Sequence, residues 1–387
     1  MAKKYENRII IVTRETRLQK VLMAQNTVSQ AKFYINNLGG DFEDYKTEHD
    51  RYGVSVQNVR RDLEALANIQ VLDRQYLTNF VFDKNDIVVV IGQDGLVANT
   101  IKYLGDQPVI GVNPDVSRWD GILLPFTPQN VNVIVEETIK GKRKTESVSM
   151  AKVRVQNGQE LYAVNDFFIG QRTHTSARYI LKFNGMKEPQ SSSGIIVSTG
   201  LGSTGWMKSV IAGAKRISSS VIGSPYGSSQ ENENLISEAE ETEIQEDAII
   251  ESTAEMDYIE NVKIQKAAEM PAPAEFSAKP VVAMSTFSKK KPARKKKEYG
   301  ISELSGVIGK WASRDLVFAV REPFPSKTTG TTMIFGKIPE KESLRIESLM
   351  GENGVIFSDG IESDFIAFNS GTEAVISLAE KKGRIVI

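Results

Sequence analysis

The stretch that most constrains this chain runs over residues 86–104, DIVVVIGQDGLVANTIKYL. Residues 87–91 are five consecutive Val and Ile, the pattern of a strand buried on both faces inside a parallel sheet. The run stops at Gly92-Gln93-Asp94-Gly95. Beyond it Val97, Ile101 and Leu104 recur at helical spacing, and Gly105 stands where a helix would end. The predicted unit is strand, tight glycine turn, helix. Ligands of open parallel sheets sit outside the carboxyl ends of the strands, so this turn is a candidate site. Asp94 is its one ionisable group, flanked by glycines that allow close approach. A carboxylate placed there suits holding or deprotonating a hydroxyl; an ordinary turn with a helix-capping Asp is the alternative reading.

The surrounding pattern predicts the fold class. Residues 8–13 (RIIIVT) read as a second apolar strand, 26–37 and 54–67 as helices, Val71 as the centre of a strand, and 108–113 as another buried strand. Strands alternating with helices argue for an α/β N-terminal domain, residues 1–125, with a doubly wound parallel sheet. Pro114, Pro125 and Pro128 then punctuate a loop. Short β-like runs follow at 131–138, 147–155, 160–169, 176–183 and 194–199. They resume at 316–320, 331–338, 343–349, 354–358, 374–378 and 383–387, which predicts an antiparallel β domain over residues 126–387. Residues 225–298 interrupt it. Between Glu231 and Glu260 stand 12 acidic residues and no Lys or Arg, and between Lys289 and Lys297 seven of nine residues are basic. Such composition predicts a low-complexity, disordered insertion. Its basic tract reads either as a solvated, self-neutralising loop or as a binder of anions.

Composition removes several function classes. The chain lacks cysteine and has two histidines, His49 and His174, so thiolate sites, cysteine nucleophiles and histidine-rich metal clusters are excluded. A net charge of -1 gives no overall case for nucleic acid. No apolar run is long enough for a membrane span, and the N-terminus does not read as a secretory signal, so a cytoplasmic protein is expected.

A second constellation lies over residues 194–214, GIIVSTGLGSTGWMKSVIAGA. A short strand leads into Ser198 and a loop holding three glycines and four hydroxyl residues, and Trp206, Val210, Ile211 and Ala214 follow at helical spacing. Its N–H groups and hydroxyls are neutral donors suited to phosphate or ribose oxygens. The loop lacks the lysine of a Walker P-loop. Trp206 reads as a core residue or as a stacking platform, and His174 as a surface loop residue.

These segments together resemble the NAD kinase family. Gly92-Gln93-Asp94-Gly95 is similar to the family's GGDG motif, Asn165-Asp166 to its Asn-Glu motif, and Ser198, Thr199, Gly202, Ser203 and Thr204 to its STPTGSTAY signature. Gly111-Val112-Asn113, the stretch from Arg118 to Gly121, RETRL from Arg14 and Arg321-Glu322-Pro323 resemble the mitochondrial-type branch. Ser358-Asp359-Gly360 resembles the family's late DG turn, and also reads as an ordinary hairpin turn. The resemblance implies an α/β domain joined to a β domain in the manner of NAD and diacylglycerol kinases, a homo-oligomer, and small-molecule nucleotide partners. It implies transfer of phosphate from ATP, or polyphosphate, to the adenosine ribose 2′-hydroxyl of NAD, with Mg2+ carried by the nucleotide and no metal site of the chain's own. Asp94 would be the base. Gly92, Gln93, Gly95, Asn113, Asn165, Asp166, Thr199, Gly202, Ser203, Thr204, Gly205 and Trp206 would bind substrate and nucleotide.

The sequence departs from the family pattern inside the pocket. Gln93 replaces a glycine, Asp166 is one methylene shorter than Glu, Leu201 replaces a hydroxyl residue, Trp206 replaces a tyrosine, and Ser193 stands where an aspartate is usual. These changes keep two other readings open: a kinase of a different hydroxyl acceptor (sugar, lipid or nucleoside), and a nucleotide-binding regulatory module without catalysis.

Overall fold

The computed structural model describes residues 3–222 and 307–387; the acidic and basic tracts of the expected insertion lie outside them. The first half runs β1 (Arg8–Thr13), α1 (Arg17–Gln25), α2 (Val28–Asn37), α3 (Phe42–Glu64), β2 (Asn68–Asp73), β3 (Ile87–Ile91), α4 (Asp94–Ile101), β4 (Pro108–Val112) and α5 (Val131–Ile139). The strands lie in the order β2-β1-β3-β4 and pair in parallel. Alternate residues face opposite ways, as the two-residue period of a strand requires. Ile9, Ile11, Val89 and Ile110 pack with Tyr52, Val59 and Leu63 of α3 and Val131, Ile134 and Val135 of α5. Ile10, Val12, Val88, Val90 and Val109 pack on the other side with Leu96, Val97 and Ile101 of α4. Helices on both faces make this the doubly wound sheet expected.

The second half contributes β5 (Thr145–Val155), β6 (Glu160–Ala163), β7 (Asp166–Gln171), β8 (Ala177–Phe183), β9 (Met186–Ser192), β10 (Ile195–Ser198), α6 (Trp206–Ile222), β11 (Asp315–Val320), β12 (Phe335–Pro339), β13 (Leu344–Ser348), β14 (Gly354–Ser358), β15 (Ile361–Ala367) and β16 (Glu373–Val386). One antiparallel sheet is ordered β12-β11-β10-β7-β14-β15. It packs face to face against β5, β8, β13 and β16 through Phe167, Ile169, Val197 and Phe318 on one side and Val153, Tyr179, Leu181 and Ile346 on the other. The final strand joins the halves. The end of β16 pairs in parallel with β4 at Ile385 and Val109, and its earlier residues pair antiparallel with β13 and β5. The described residues up to Gly213 and from Val307 onward form one compact unit. No helix among the described residues is long and apolar enough to cross a membrane.

Several elements differ from expectation. The run at 131–138, read as a strand for its β-branched residues, is helix α5; Val131, Ile134 and Val135 sit at i, i+3 and i+4, a stripe that packs on the parallel sheet. Helix α1 was not anticipated, although Thr16 and Gln19 form a reciprocal capping box at its start. The run at 160–169 breaks at Val164-Asn165 into β6 and β7. Strand β9 is polar and was missed; Asn184 and Gly185, at φ 51° and 72°, turn it back onto β8. The two C-terminal runs are one strand, β16, with an irregularity between Leu378 and Lys382.

Candidate active site

Asp94 opens α4 one residue after Gln93, and Gly95 beside it is exposed. A Cβ on Gly92 would stand 2.8 Å from Leu96 Cδ2, so the turn closes tightly on the first turn of the helix. The Asp94 carboxylate accepts the N–H of Leu123 at 2.6 Å, and the N–H of Ile122 also donates to it. Burial pushes this carboxyl above its ordinary range against those two donors, and the nearby charge of Asp120 adds to the push.

The loop that reaches Asp94 is held by the Gly111-Val112-Asn113 stretch. A Cβ on Gly111 would lie 1.9 Å from the Leu123 carbonyl oxygen, so only glycine lets the loop cross the strand end there. Asn113 is buried; its Nδ2 donates to the Trp119 carbonyl at 2.8 Å and its Oδ1 accepts the Asp115 N–H at 3.0 Å. Its amide, expected at a ligand, is used in shaping the loop over Asp94.

Asn165 and Asp166 lie at the break between β6 and β7, and the glycine loop after β10 sits directly upon them. The Thr199 N–H donates to the Asn165 carbonyl at 2.9 Å, and Thr199 Oγ1 to the Val164 carbonyl at 2.6 Å. A Cβ on Gly202 would fall 2.1 Å from the Asn165 carbonyl oxygen. Gly202→Ala therefore drives the two motifs apart, and we expect it to destabilise the fold by about 1–3 kcal/mol, the scale of overpacking. A urea midpoint equal to that of the wild type would deny the contact.

The hydroxyls of this loop do not stand free. Ser203 Oγ donates to the Gly200 carbonyl at 2.7 Å and accepts from the Gly309 N–H, and Thr204 Oγ1 donates to the Leu201 carbonyl at 2.9 Å. They satisfy backbone carbonyls that a tight loop would otherwise leave unpaired. Gly205 accepts the N–H of Lys208 in the first turn of α6. Trp206 stacks on Phe168 at 5.9 Å with an interplanar angle of 12°, and the Arg321 guanidinium lies 5.5 Å from its ring centre. Leu96, Val97, Leu123, Leu124, Val164 and Leu201 share one apolar cluster. It brings together the Asp94 helix, the loop over Asp94, the Asn165 break and the glycine loop, segments that are far apart in sequence.

A charged network lies behind the Asn165-Asp166 break. Asp166 is 8% exposed, and burial, helped by the charge of Asp359, pushes its carboxyl up to about 8. The Asp359 carboxylate accepts the N–H groups of Val164, Asn165 and Asp166 at 3.0, 2.6 and 3.2 Å. Burial raises its pKa too, opposed by Lys102 and by those three donors. Lys102, whose side chain is 1% exposed, donates to Ser358 at 3.0 Å and to Asp364 at 2.8 Å. Tyr103 also donates to Asp364. Burial works against ionisation of Asp364, yet the Lys102 and Tyr103 bonds hold its carboxyl below the usual range. Sequence reasoning passed over Lys102 and Asp364. The available signal was one basic residue at the end of a buried and otherwise uncharged segment, VANTIKYL. Among the described residues no cluster of His, Asp and Glu suits a metal ion.

No protein-family model matches the chain. In sequence it is 26% identical over 127 residues to an NAD kinase of Chlorobaculum tepidum, covering 32% of this chain and 44% of that protein. It is 27% identical over 139 residues to an NAD kinase of Geotalea daltonii, covering 32% and 45%. The chain thus spans a little under half the length of the curated relatives it matches. In structure it is similar to an NAD kinase from Archaeoglobus fulgidus in complex with ATP, with a TM-score of 0.47 and 13% identity over 98% of this chain and 93% of that one. It is similar to yeast NADH kinase complexed with NADH, with a TM-score of 0.48 and 10% identity over 99% and 84%.

Proposed function

We propose, from the chain's relatedness in sequence to the NAD kinases, that it transfers the γ-phosphate of ATP to the adenosine ribose 2′-hydroxyl of NAD, forming NADP. The observation that carries the proposal is Asp94: a carboxylate at a strand end, flanked by glycines, held by two N–H groups and tuned upward by burial. In this reading the hydroxyl oxygen attacks the γ-phosphorus, Asp94 takes the hydroxyl proton, and ADP leaves with its metal. A base with a raised pKa accepts a proton from a hydroxyl more readily than an ordinary carboxylate does. Phosphoryl transfer otherwise needs positioning and charge neutralisation. Asn165 and Asp166 grip the acceptor, and Gly92, Gln93 and Gly95 line the approach to Asp94. The loop from Thr199 to Trp206 shapes the nucleotide pocket through its backbone, since its hydroxyls are bonded within the chain. In this reading the enzyme works as a homo-oligomer, as the resemblance implies, and in the cytoplasm, as the sequence leads one to expect.

Leu201 favours a second acceptor as the rival reading, because it places a side chain in the apolar cluster where the family pattern has a hydroxyl. One experiment separates these readings. ADP release is followed with NAD, NADH and a panel of sugar, lipid and nucleoside hydroxyls, with ATP or polyphosphate as donor. NADP formed at millimolar NAD supports the proposal. Turnover of another acceptor alone moves the assignment to that acceptor, and nucleotide binding without any turnover makes the chain a regulatory module.

A further inference from the structure

We propose that Asp359 is a positioning residue: its carboxylate holds the Asn165-Asp166 break in the shape that grips the acceptor, with Lys102 as its counter-charge. The inference rests on the acceptor reading of Asn165 and Asp166.

The geometry is specific. The chain passes from one sheet to the other between β6 and β7, so the N–H groups of Val164, Asn165 and Asp166 need partners outside a regular ladder. All three point to one carboxylate, and the Asp359 N–H returns a bond to the Asp166 carbonyl at 2.9 Å. Asp359 can do this because it sits at φ 53° in the turn between β14 and β15, followed by Gly360 at φ 69°. Left-handed backbone suits Asp and Asn better than other non-glycine residues. A hairpin turn made for connection alone has no need of a half-buried carboxylate that gathers three N–H groups from another strand break.

Lys102 supplies the second half of the device. It caps the end of α4, the helix that Asp94 begins, and its ammonium bonds Ser358, next to Asp359, and Asp364 on β15. The hairpin that shapes the acceptor grip is thereby fastened to the helix that carries the candidate base. Asp94 at one end of α4 and the Asn165-Asp166 break are held in register through Lys102 and Asp359. Asp359 touches neither reacting group; it acts through the three residues it binds.

The test uses the full chain. Asp359→Asn keeps a residue at home at positive φ but leaves one accepting oxygen and no charge. Its KM for NAD should rise about tenfold or more, while kcat and the KM for ATP stay within about threefold, the pattern of lost uniform binding. Amide exchange at residues 164–166 should accelerate about tenfold or more as the opening free energy of that segment falls. Lys102→Met leaves the three bonds that Asp359 accepts in place and removes the counter-charge together with the bonds to Ser358 and Asp364; it should raise the KM for NAD by a smaller factor, and it serves as the second variant if Asp359→Asn folds poorly. A wild-type KM for NAD in Asp359→Asn, or kcat and both KM values worsening together, would overturn the positioning role. If the wild type phosphorylates no NAD, the acceptor reading has failed and amide exchange decides alone: unchanged exchange at residues 164–166 then overturns the inference.

Discussion

Asp94→Asn is expected to lower kcat by about 10²-fold or more, the scale on which a lost general base is felt, with ATP binding unchanged. Asn keeps the shape of Asp and an oxygen that can accept the Leu123 N–H, now made at 2.6 Å, so the loop over α4 should stay in place. What it loses is the ability to take a proton. The pH dependence gives a second reading of the same group. Burial raises the Asp94 pKa, so the carboxyl is a base only above that raised value. The wild-type kcat should fall as pH drops through a point above the ordinary carboxylate range near 4. Steady-state kinetics carried from neutral pH down through the carboxylate range would show this limb, and the variant should lack it. Full activity in Asp94→Asn would remove Asp94 from the chemistry.

Asp166 is expected to show a trade between stability and binding. Its carboxyl is pushed up to about 8 by burial and by the charge of Asp359. An unfolded Asp titrates near 3.9. The folded state therefore holds a proton that the unfolded state has released. The stabilisation from this site is complete below about pH 4 and is lost as pH rises through about 8. Asp166→Asn cannot ionise and escapes that loss. Its melting temperature should exceed that of the wild type by a margin that grows from pH 4 to 8 and then levels off. Asp166→Ala should weaken acceptor binding by about 5- to 150-fold, from the roughly 1–3 kcal/mol of leaving a buried polar partner unpaired, while ATP binding barely changes. Calorimetry with NAD and with ATP, alongside thermal melts across pH, checks both effects. A margin that shrinks with pH would show that Asp166 is not buried as described, and equal NAD affinity in Asp166→Ala and the wild type would show that it does not contact the acceptor.

Much of the parallel half was legible because its signals are local. Five β-branched residues in a row can hardly be anything but a doubly buried strand, and the turn and helix after them announce themselves through glycine and spacing. The antiparallel strands were also mostly found, since the period of two survives in β8 and β13 and β10 is an unbroken apolar run. Where the reading failed, two local signals conflicted or none existed. The Val-rich α5 has strand-like composition but helical spacing, and spacing prevailed because its stripe meets the parallel sheet. Strand β9 has little apolar content and is held by pairing with β8.

The sequence by itself determined the strand-turn-helix that presents Asp94, the doubly wound arrangement of the first half, and the glycine loop before α6. Tertiary structure alone decided what each polar group in the site is used for. Asn113 and the hydroxyls of Thr199, Ser203 and Thr204 look like ligand donors in the sequence and are bonded to the chain's own backbone in the fold. Asp359 looks like a turn residue and instead gathers three N–H groups some 190 positions away in sequence. The reason is physical. Periodicity records how a segment meets solvent and core over a few residues, whereas a hydrogen bond depends on which distant backbone group arrives unpaired, and the packing of the sheets settles that.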